Sequence, residues 1–76
     1  MHMSSITEAI REQLMASDAE YQRLREEHAR YAAQLEQLAS KRFLNDQEQL
    51  DEVRLKKLKL RAKDQMEMLV RRAQGA

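Results

Sequence analysis

Apolar side chains spaced for one face of a helix run through the first half of the chain. The gaps between them alternate between four and three residues, the a/d heptad pattern that forms one seam along a helix. This pattern predicts an all-α fold whose first helix spans about residues 5–40 and starts at a capping box of Ser5 and Glu8. The seam positions are Ile10, Leu14, Ser17, Tyr21, Leu24, His28, Tyr31, Leu35 and Leu38.

A second helix-start signal lies inside this predicted helix. Ser17 is polar although it occupies a seam position, and with Glu20 it forms another capping box. The first helix is therefore either continuous or divided, with residues 5–16 as a separate segment. Because the heptad spacing passes through Ser17 without a shift, we expect a continuous helix with a weakly anchored start.

The heptad pattern lapses at residues 41–45, where we expect the chain to turn. Asn45 followed by Glu48 is a third start signal, with Asn45 as the cap. The sequence has no Pro, and its one Gly is Gly75, so a single unbroken helix is the alternative. The lapse and the start signal together favour an antiparallel two-helix hairpin, coiled-coil-like, with helix two at about residues 46–72. The whole chain, 1–76, then forms a single domain.

Helix two carries two apolar stripes. At about 100° per residue, the first stripe comprises Leu55, Leu58, Ala62, Met66 and Leu69. The second stripe comprises Leu50, Val53, Leu60 and Met68. One stripe can pack on the first helix, and the other then needs a different partner, unless its members are merely scattered surface side chains. A chain of 76 residues buries little surface, and without Cys it has no disulfides. We therefore expect a homo-oligomer that forms a helical bundle through the second stripe.

The sequence contains little that could support catalysis or bind a metal. His28, beside Glu27, is the strongest candidate, but it lies on the seam between Leu24 and Tyr31, where a histidine pairs with a polar group across the helices. One helical turn further on stands Ala32, which binds no metal. There is no Cys nucleophile and no glycine-rich loop to hold phosphate. We expect no enzyme activity, no catalytic residue, no cofactor and no metal site; a metal shared between chains is the alternative for His28.

Six cations within ten residues form a basic cluster. It consists of Arg54, Lys56, Lys57, Lys59, Arg61 and Lys63. Residues 1–53 hold 6 Lys/Arg and 11 Asp/Glu, whereas residues 54–76 hold 8 and 2, so the two halves have opposite net charge. The cluster can pair with acids of helix one or of another copy, bind nucleic-acid phosphates, or meet an anionic membrane surface. Because no aromatic residue lies in 44–76 to stack on bases, we favour ion pairing. The acids that an antiparallel hairpin would bring opposite are Glu20, Glu26, Glu27 and Glu36.

The hydropathy pattern favours a protein without a membrane span. No apolar run approaches the ~20 residues needed to cross a bilayer. The N-terminal residues lack the apolar core of a signal peptide, and with no Cys in the chain we expect a cytoplasmic protein.

Two stretches of the chain resemble a known family. Residues 21–28, from Tyr21 to His28, are similar to the aromatic-x-x-Leu-x-x-Glu-His signature of the YdcH-like family of short bacterial proteins, a domain of unknown function. Residues 55–64 are similar to its Leu-Lys-Lys-x-Lys-Leu-x-Leu-Lys-Asp signature, except that Ala62 stands where the family pattern has Leu. Phe43, just before the capped helix start, lies where the family has an aromatic residue. The resemblance spans about Leu14 to Arg72 and implies a two-helix hairpin with no assigned activity.

These features lead to one functional hypothesis and two alternatives. We expect a non-enzymatic helical interaction or scaffold protein that self-associates by coiled-coil packing; an unidentified protein partner is also compatible with the second stripe. The alternatives are a small nucleic-acid-associated protein using the basic cluster and a peripheral binder of anionic membranes. In the membrane hypothesis, the apolar residues that enter the lipid interface are Leu55, Leu58, Met66 and Leu69.

Overall fold

The computed structural model describes the backbone of residues 2–75 and the side chains of residues 6–75. Within that part of the chain all regular structure is α-helical. The helices are α1 at His2–Ser17, α2 at Ala19–Ala39 and α3 at Asp46–Gly75. The all-α fold class is therefore confirmed, but the described residues form three helices where two were predicted.

The first predicted helix is divided at Asp18, so the expectation of one continuous helix there is wrong. Asp18 has φ −111° and ψ 111°, an extended conformation, and its side chain accepts a hydrogen bond from the Tyr21 backbone N at 2.9 Å. Gln22 reaches back across the break, where its Nε2 donates to the Met15 carbonyl oxygen at 2.6 Å. The capping signal therefore prevails over the heptad spacing, with Asp18 rather than Ser17 as the cap.

The outer ends of the helices also differ from the prediction. Helix α1 begins at His2, so Ser5 lies inside the helix and does not cap it; the Ser5 side chain is outside the described residues. No Pro or Gly precedes Ser5 to stop the helix from extending. Helix α3 continues to Gly75, beyond the predicted end at residue 72, and Gly75 lacks the positive φ of a left-handed C-cap.

The chain turns at residues 40–45, between α2 and α3. Helix α3 starts with a reciprocal capping box, in which the Glu48 backbone N donates to Asn45 Oδ1 at 2.7 Å and the Asn45 backbone N donates to Glu48 Oε1 at 3.0 Å. The predicted cap at Asn45 is confirmed. Lys41 Nζ also pairs with the Glu48 carboxylate, which ties the turn to the first turn of α3.

Helices α2 and α3 pack along each other in opposite directions. Leu38, near the end of α2, and Asp51, near the start of α3, line one groove. Tyr21, at the start of α2, and Val70, near the end of α3, line another. Because each end of α2 meets the opposite end of α3, the turn brings α3 back along α2 in antiparallel orientation.

Helix α1 packs beside the C-terminal part of α3 and also contacts α2. Gln74 Nε2 donates to Thr7 Oγ1 at 3.1 Å, which joins the first helix to the last turn of the third. At the other end of α1, Met15 shares a groove with Tyr21 and Met66. The break at Asp18 thus lets α1 cover a part of α3 that α2 alone does not reach.

The hydrophobic core is small and lies where the three helices meet. The remaining apolar seam positions of α1 and α2 are half-buried, and Ser17, at the break, is exposed. Such a core covers only part of the apolar surface of the described chain. Among the described residues, the fully buried apolar side chains are Tyr21, Leu24, Ala62 and Val70.

Candidate functional site

Helix α3 presents a row of large apolar side chains to solvent. This exposed apolar face is the second stripe predicted from the sequence, and between 51% and 65% of the surface of each of its four members is exposed. Monomeric proteins expose single apolar side chains routinely, but an aligned row along one helix is typical of an interaction surface. The members of the exposed apolar face are Leu50, Val53, Leu60 and Met68.

The first stripe of α3 faces the other two helices. Ala62 is 3% exposed, and the four longer members of the stripe are half-buried. The small Ala62 side chain stands where the resembled family pattern has Leu, and a methyl group there allows close approach of the helices. The two stripes therefore differ in environment, as their placement on opposite sides of the helix predicts.

Val70 belongs to neither predicted stripe, yet it is only 5% exposed. It lines a groove with Thr7 and Arg11 of α1. Val70 also lines a groove with Tyr21 of α2, so both helices contribute to its burial, and the contribution of α1 leaves no periodic signal in the sequence. Two further apolar residues were also not predicted as surface features, namely Phe43 in the turn, 83% exposed, and Ile6 on α1, 60% exposed.

The basic cluster is largely unpaired within the described chain. Five of its six side chains are exposed, and Lys59 is half-buried. The one ion pair that involves the cluster joins Lys56 Nζ to Glu52 Oε1 at 3.9 Å within α3. The expected pairs with acids of the first predicted helix are therefore not formed among the described residues. An i,i+4 pair, Arg23 with Glu27 at 2.9 Å, engages one of those acids within α2 instead.

His28 is half-buried on α2 and has no hydrogen-bond partner among the described residues. The expected polar partner across the helices is thus not found. The groove beside His28 is about 470 Å³ in volume. Its lining includes two cations, Lys59 and Lys63, and one acid, Glu67. Residues 6–75 contain no group of three or more His, Asp or Glu side chains that could hold a metal ion.

The apolar residues assigned to lipid in the membrane hypothesis are not free to enter a bilayer. Leu55, Leu58, Met66 and Leu69 are half-buried against the other helices. Within residues 2–75, no helix combines the length and the apolar character that a membrane span requires.

A comparison with known families identifies the part of the chain that contains most of α2, the turn and most of α3. The family described as "Protein of unknown function (DUF465)" matches residues 21–70. The matched stretch begins just after the break at Asp18 and leaves out α1, and it includes the whole exposed apolar face. No curated protein and no solved structure matches the chain.

Proposed function

Since the chain belongs to the DUF465 family, the YdcH-like family that its motifs resemble, and that family has no assigned function, we propose a role from the chain's own surfaces. It is a non-enzymatic helical interaction protein that self-associates through the exposed apolar face of α3. In this proposal α2 and α3 act as an antiparallel hairpin, and two or more copies assemble into a helical bundle in the cytoplasm.

The observation that supports self-association is the exposure of Leu50, Val53, Leu60 and Met68 along one helix. Fully burying a Leu, Val or Met side chain contributes about 1.5–3 kcal/mol. Each of the four side chains is more than half exposed in a single copy. Burying all four would therefore contribute several kcal/mol of additional stabilisation. A second helix laid along the face would recover it.

The matched substitutions Leu60→Glu and Leu58→Glu test this proposal. Leu60 is 58% exposed, so Leu60→Glu should reduce the molar mass in solution while leaving the circular dichroism of the helices intact. Leu58 is half-buried toward α2, so Leu58→Glu should lower both the mass and the helical signal. Gln65→Glu, an exposed position off the face, is the control and should change neither. A Leu60→Glu variant with the mass of the unmodified protein across a dilution series would refute the proposal.

A second candidate function, nucleic-acid binding, is favoured by the unpaired state of the basic cluster. Five of its six cations have no ion-pair partner among the described residues, so they are free to contact phosphates. Phosphate contacts give a steep salt dependence, with a slope of about 0.9 per contact on duplex DNA. The absence of aromatic residues in 44–76 gives this candidate no stacking platform, and we rank it second.

Electrophoretic mobility on duplex DNA and RNA across a salt series separates the two functions. Replacing the exposed, unpaired Arg54, Arg61 and Lys63 with Gln should flatten the salt slope if the cluster binds nucleic acid. The control removes three cations from α2 in the same way, at Arg23, Arg25 and Arg30. No mobility shift at low salt would eliminate nucleic-acid binding.

A further inference from the structure

We propose that two copies of this chain pair α3 against α3 in antiparallel orientation, about a two-fold axis near Leu60. Lys57 of each copy then faces Asp64 of the other, and Asp46 faces Arg71. This inference rests on the proposed self-association and adds to it the partner, a second copy, and the orientation.

The surface involved is wider than the four apolar residues. At about 100° per residue, four charged residues lie in the same arc of about 80° around α3 as the exposed apolar face. Successive apolar and charged residues along this arc are three or four positions apart, so they form one continuous seam. All eight side chains are exposed. The charged members of the seam are Asp46, Lys57, Asp64 and Arg71.

The four charged residues make no ion pair within the described chain, whereas Lys56, beside Lys57, pairs with Glu52. Lys57 and Asp64 cannot satisfy each other on the same helix, because seven residues separate them by about 10.5 Å along the axis. A second copy can supply the complementary charges that neither residue finds on its own helix.

The order of the signs along α3 selects the antiparallel arrangement. From the start of the helix the seam reads acid, base, acid, base, at Asp46, Lys57, Asp64 and Arg71. In an antiparallel pair with its axis near residue 60, residues at similar distances from the axis come close together, so Lys57 meets Asp64 and Asp46 lies within about one helical turn of Arg71. In a parallel pair each residue meets its own copy, which places Lys57 against Lys57 and Asp64 against Asp64. Like charges facing each other disfavour that arrangement.

The apolar residues fit the same axis. The midpoint between Leu50 and Met68 and the midpoints of the two charged pairs all fall between residues 58 and 61, which is also the centre of Asp46–Gly75. One axis therefore places Leu50 against Met68, Leu60 near its own copy, and the full length of α3 along its partner. Arg61 lies at the edge of the seam, so near this axis it approaches Arg61 of the other copy. The nearby Asp64 offsets the repulsion between these two cations.

The size of the surface predicts a weak dimer. A 30-residue helix is about 45 Å long and about 10 Å wide, so the contact covers on the order of 450 Å² per copy. A standard stable interface buries about 800 Å² per partner. We therefore expect dissociation in the micromolar range, and the orientation should be measured at concentrations above it.

Disulfide trapping measures the orientation directly, since the chain has no Cys of its own. Leu50→Cys and Met68→Cys are prepared as separate full-length variants, oxidised gently alone and as a mixture, and weighed by mass spectrometry. The antiparallel arrangement predicts the mixed disulfide in at least tenfold excess over either homodimer. Efficient trapping of Leu50→Cys with itself would overturn the antiparallel arrangement. Gln65→Cys, off the seam, is the control and should trap poorly.

Charge exchange tests the register by an independent route. Lys57→Glu and Asp64→Lys should each raise the dimer dissociation constant by about tenfold, because by symmetry two attractive pairs become repulsive. The double variant with both changes should return to within about threefold of the unmodified protein. Circular dichroism of each variant at a dilution where it is monomeric checks that the helices persist.

The outcomes separate this inference from the proposed function. In one outcome, Leu60→Glu dissociates the dimer, the charge-exchange double variant does not recover, and disulfides form between identical positions. This outcome supports self-association and overturns the antiparallel pairing. A chain that stays monomeric at every concentration overturns both and leaves the seam to a different partner.

Discussion

The backbone N of Asn45 and that of Glu48 each donate a hydrogen bond to the other residue's side chain across the start of α3. Glu48 N lies 2.7 Å from Asn45 Oδ1, and Asn45 N lies 3.0 Å from Glu48 Oε1. Lys41 from the turn pairs with the same carboxylate. The first four backbone N–H groups of a helix have no intrahelical partner, and this arrangement satisfies two of them, those of Asn45 and Glu48.

The stability of the chain should depend on the ionisation of Glu48. The hydrogen bond from Lys41, together with the one from the Asn45 backbone, holds the pKa of Glu48 below its ordinary value of 4.5. A carboxyl whose pKa is lower in the folded state contributes stability above its unfolded pKa, and loses it as the pH falls through the folded pKa. Glu48→Gln should therefore lower the urea midpoint at pH 7, and this difference should shrink as the pH falls below 4.5.

Glu26→Gln is the control for the pH series, because Glu26 is exposed and makes no ion pair or hydrogen bond among the described residues. Its midpoint should follow that of the unmodified protein at every pH. A deficit of Glu48→Gln that stays constant from pH 7 down to pH 3 would contradict the assigned role of the ionised carboxylate.

Asp18 should stabilise the break between α1 and α2. Its side chain accepts from the Tyr21 backbone N at 2.9 Å, and replacing such a cap with Ala typically costs about 0.5–2 kcal/mol. We expect Asp18→Ala to lower the free energy of unfolding by that amount in urea denaturation. Asp18→Asn keeps an acceptor oxygen at the same place and should lose much less. Equal losses in the two variants would mean that the cap does not hold the break.

The sequence predicted the parts of this fold that are set locally. The start of α3 follows from Asn45 and Glu48 alone, because both partners lie within one helical turn. The break in the helix at residues 17–20 could not be predicted from the sequence, because a heptad seam and a capping box compete there. The contact of α1 with α3 favours the broken helix. The burial of Val70 depends partly on that same contact, which leaves no periodic signal in the sequence.

The candidate site was predictable to a different degree. The exposed apolar face follows from helical spacing, because the angle between Leu60 and Leu58 on α3 places them on different sides whatever packs nearby. The ion pairs expected for the basic cluster did not follow, since opposite charge on two helices does not determine the distance between particular side chains. Lys56 instead pairs with Glu52 on its own helix, because residues four positions apart on a helix are neighbours.

Leu24 should contribute more to stability than any exposed leucine. It is 1% exposed, and truncating a buried Leu to Ala leaves a cavity and costs about 2–5 kcal/mol. A domain of this size has a total stability of about 4–11 kcal/mol, so we expect Leu24→Ala to be partly unfolded at moderate temperature in thermal circular dichroism. Leu24→Met preserves most of the volume and should cost less than about 1.5 kcal/mol. A Leu24→Ala variant as stable as Leu24→Met would contradict the placement of this side chain in the core.

Val70 and Met68 lie two residues apart on α3. The same substitution should destabilise the fold at Val70 and weaken association at Met68. Val70 is 5% exposed beneath α1, whereas Met68 is 53% exposed on the apolar face. Val70→Asp buries a charge with no partner, so we expect a loss of about 3–5 kcal/mol in urea denaturation of the dilute protein. Met68→Asp should leave that stability within about 0.5 kcal/mol and instead raise the concentration at which the copies associate in sedimentation equilibrium. If Met68→Asp unfolded the dilute protein as Val70→Asp does, the apolar face would be part of the core of each copy, and nothing would remain on α3 for a second copy to cover.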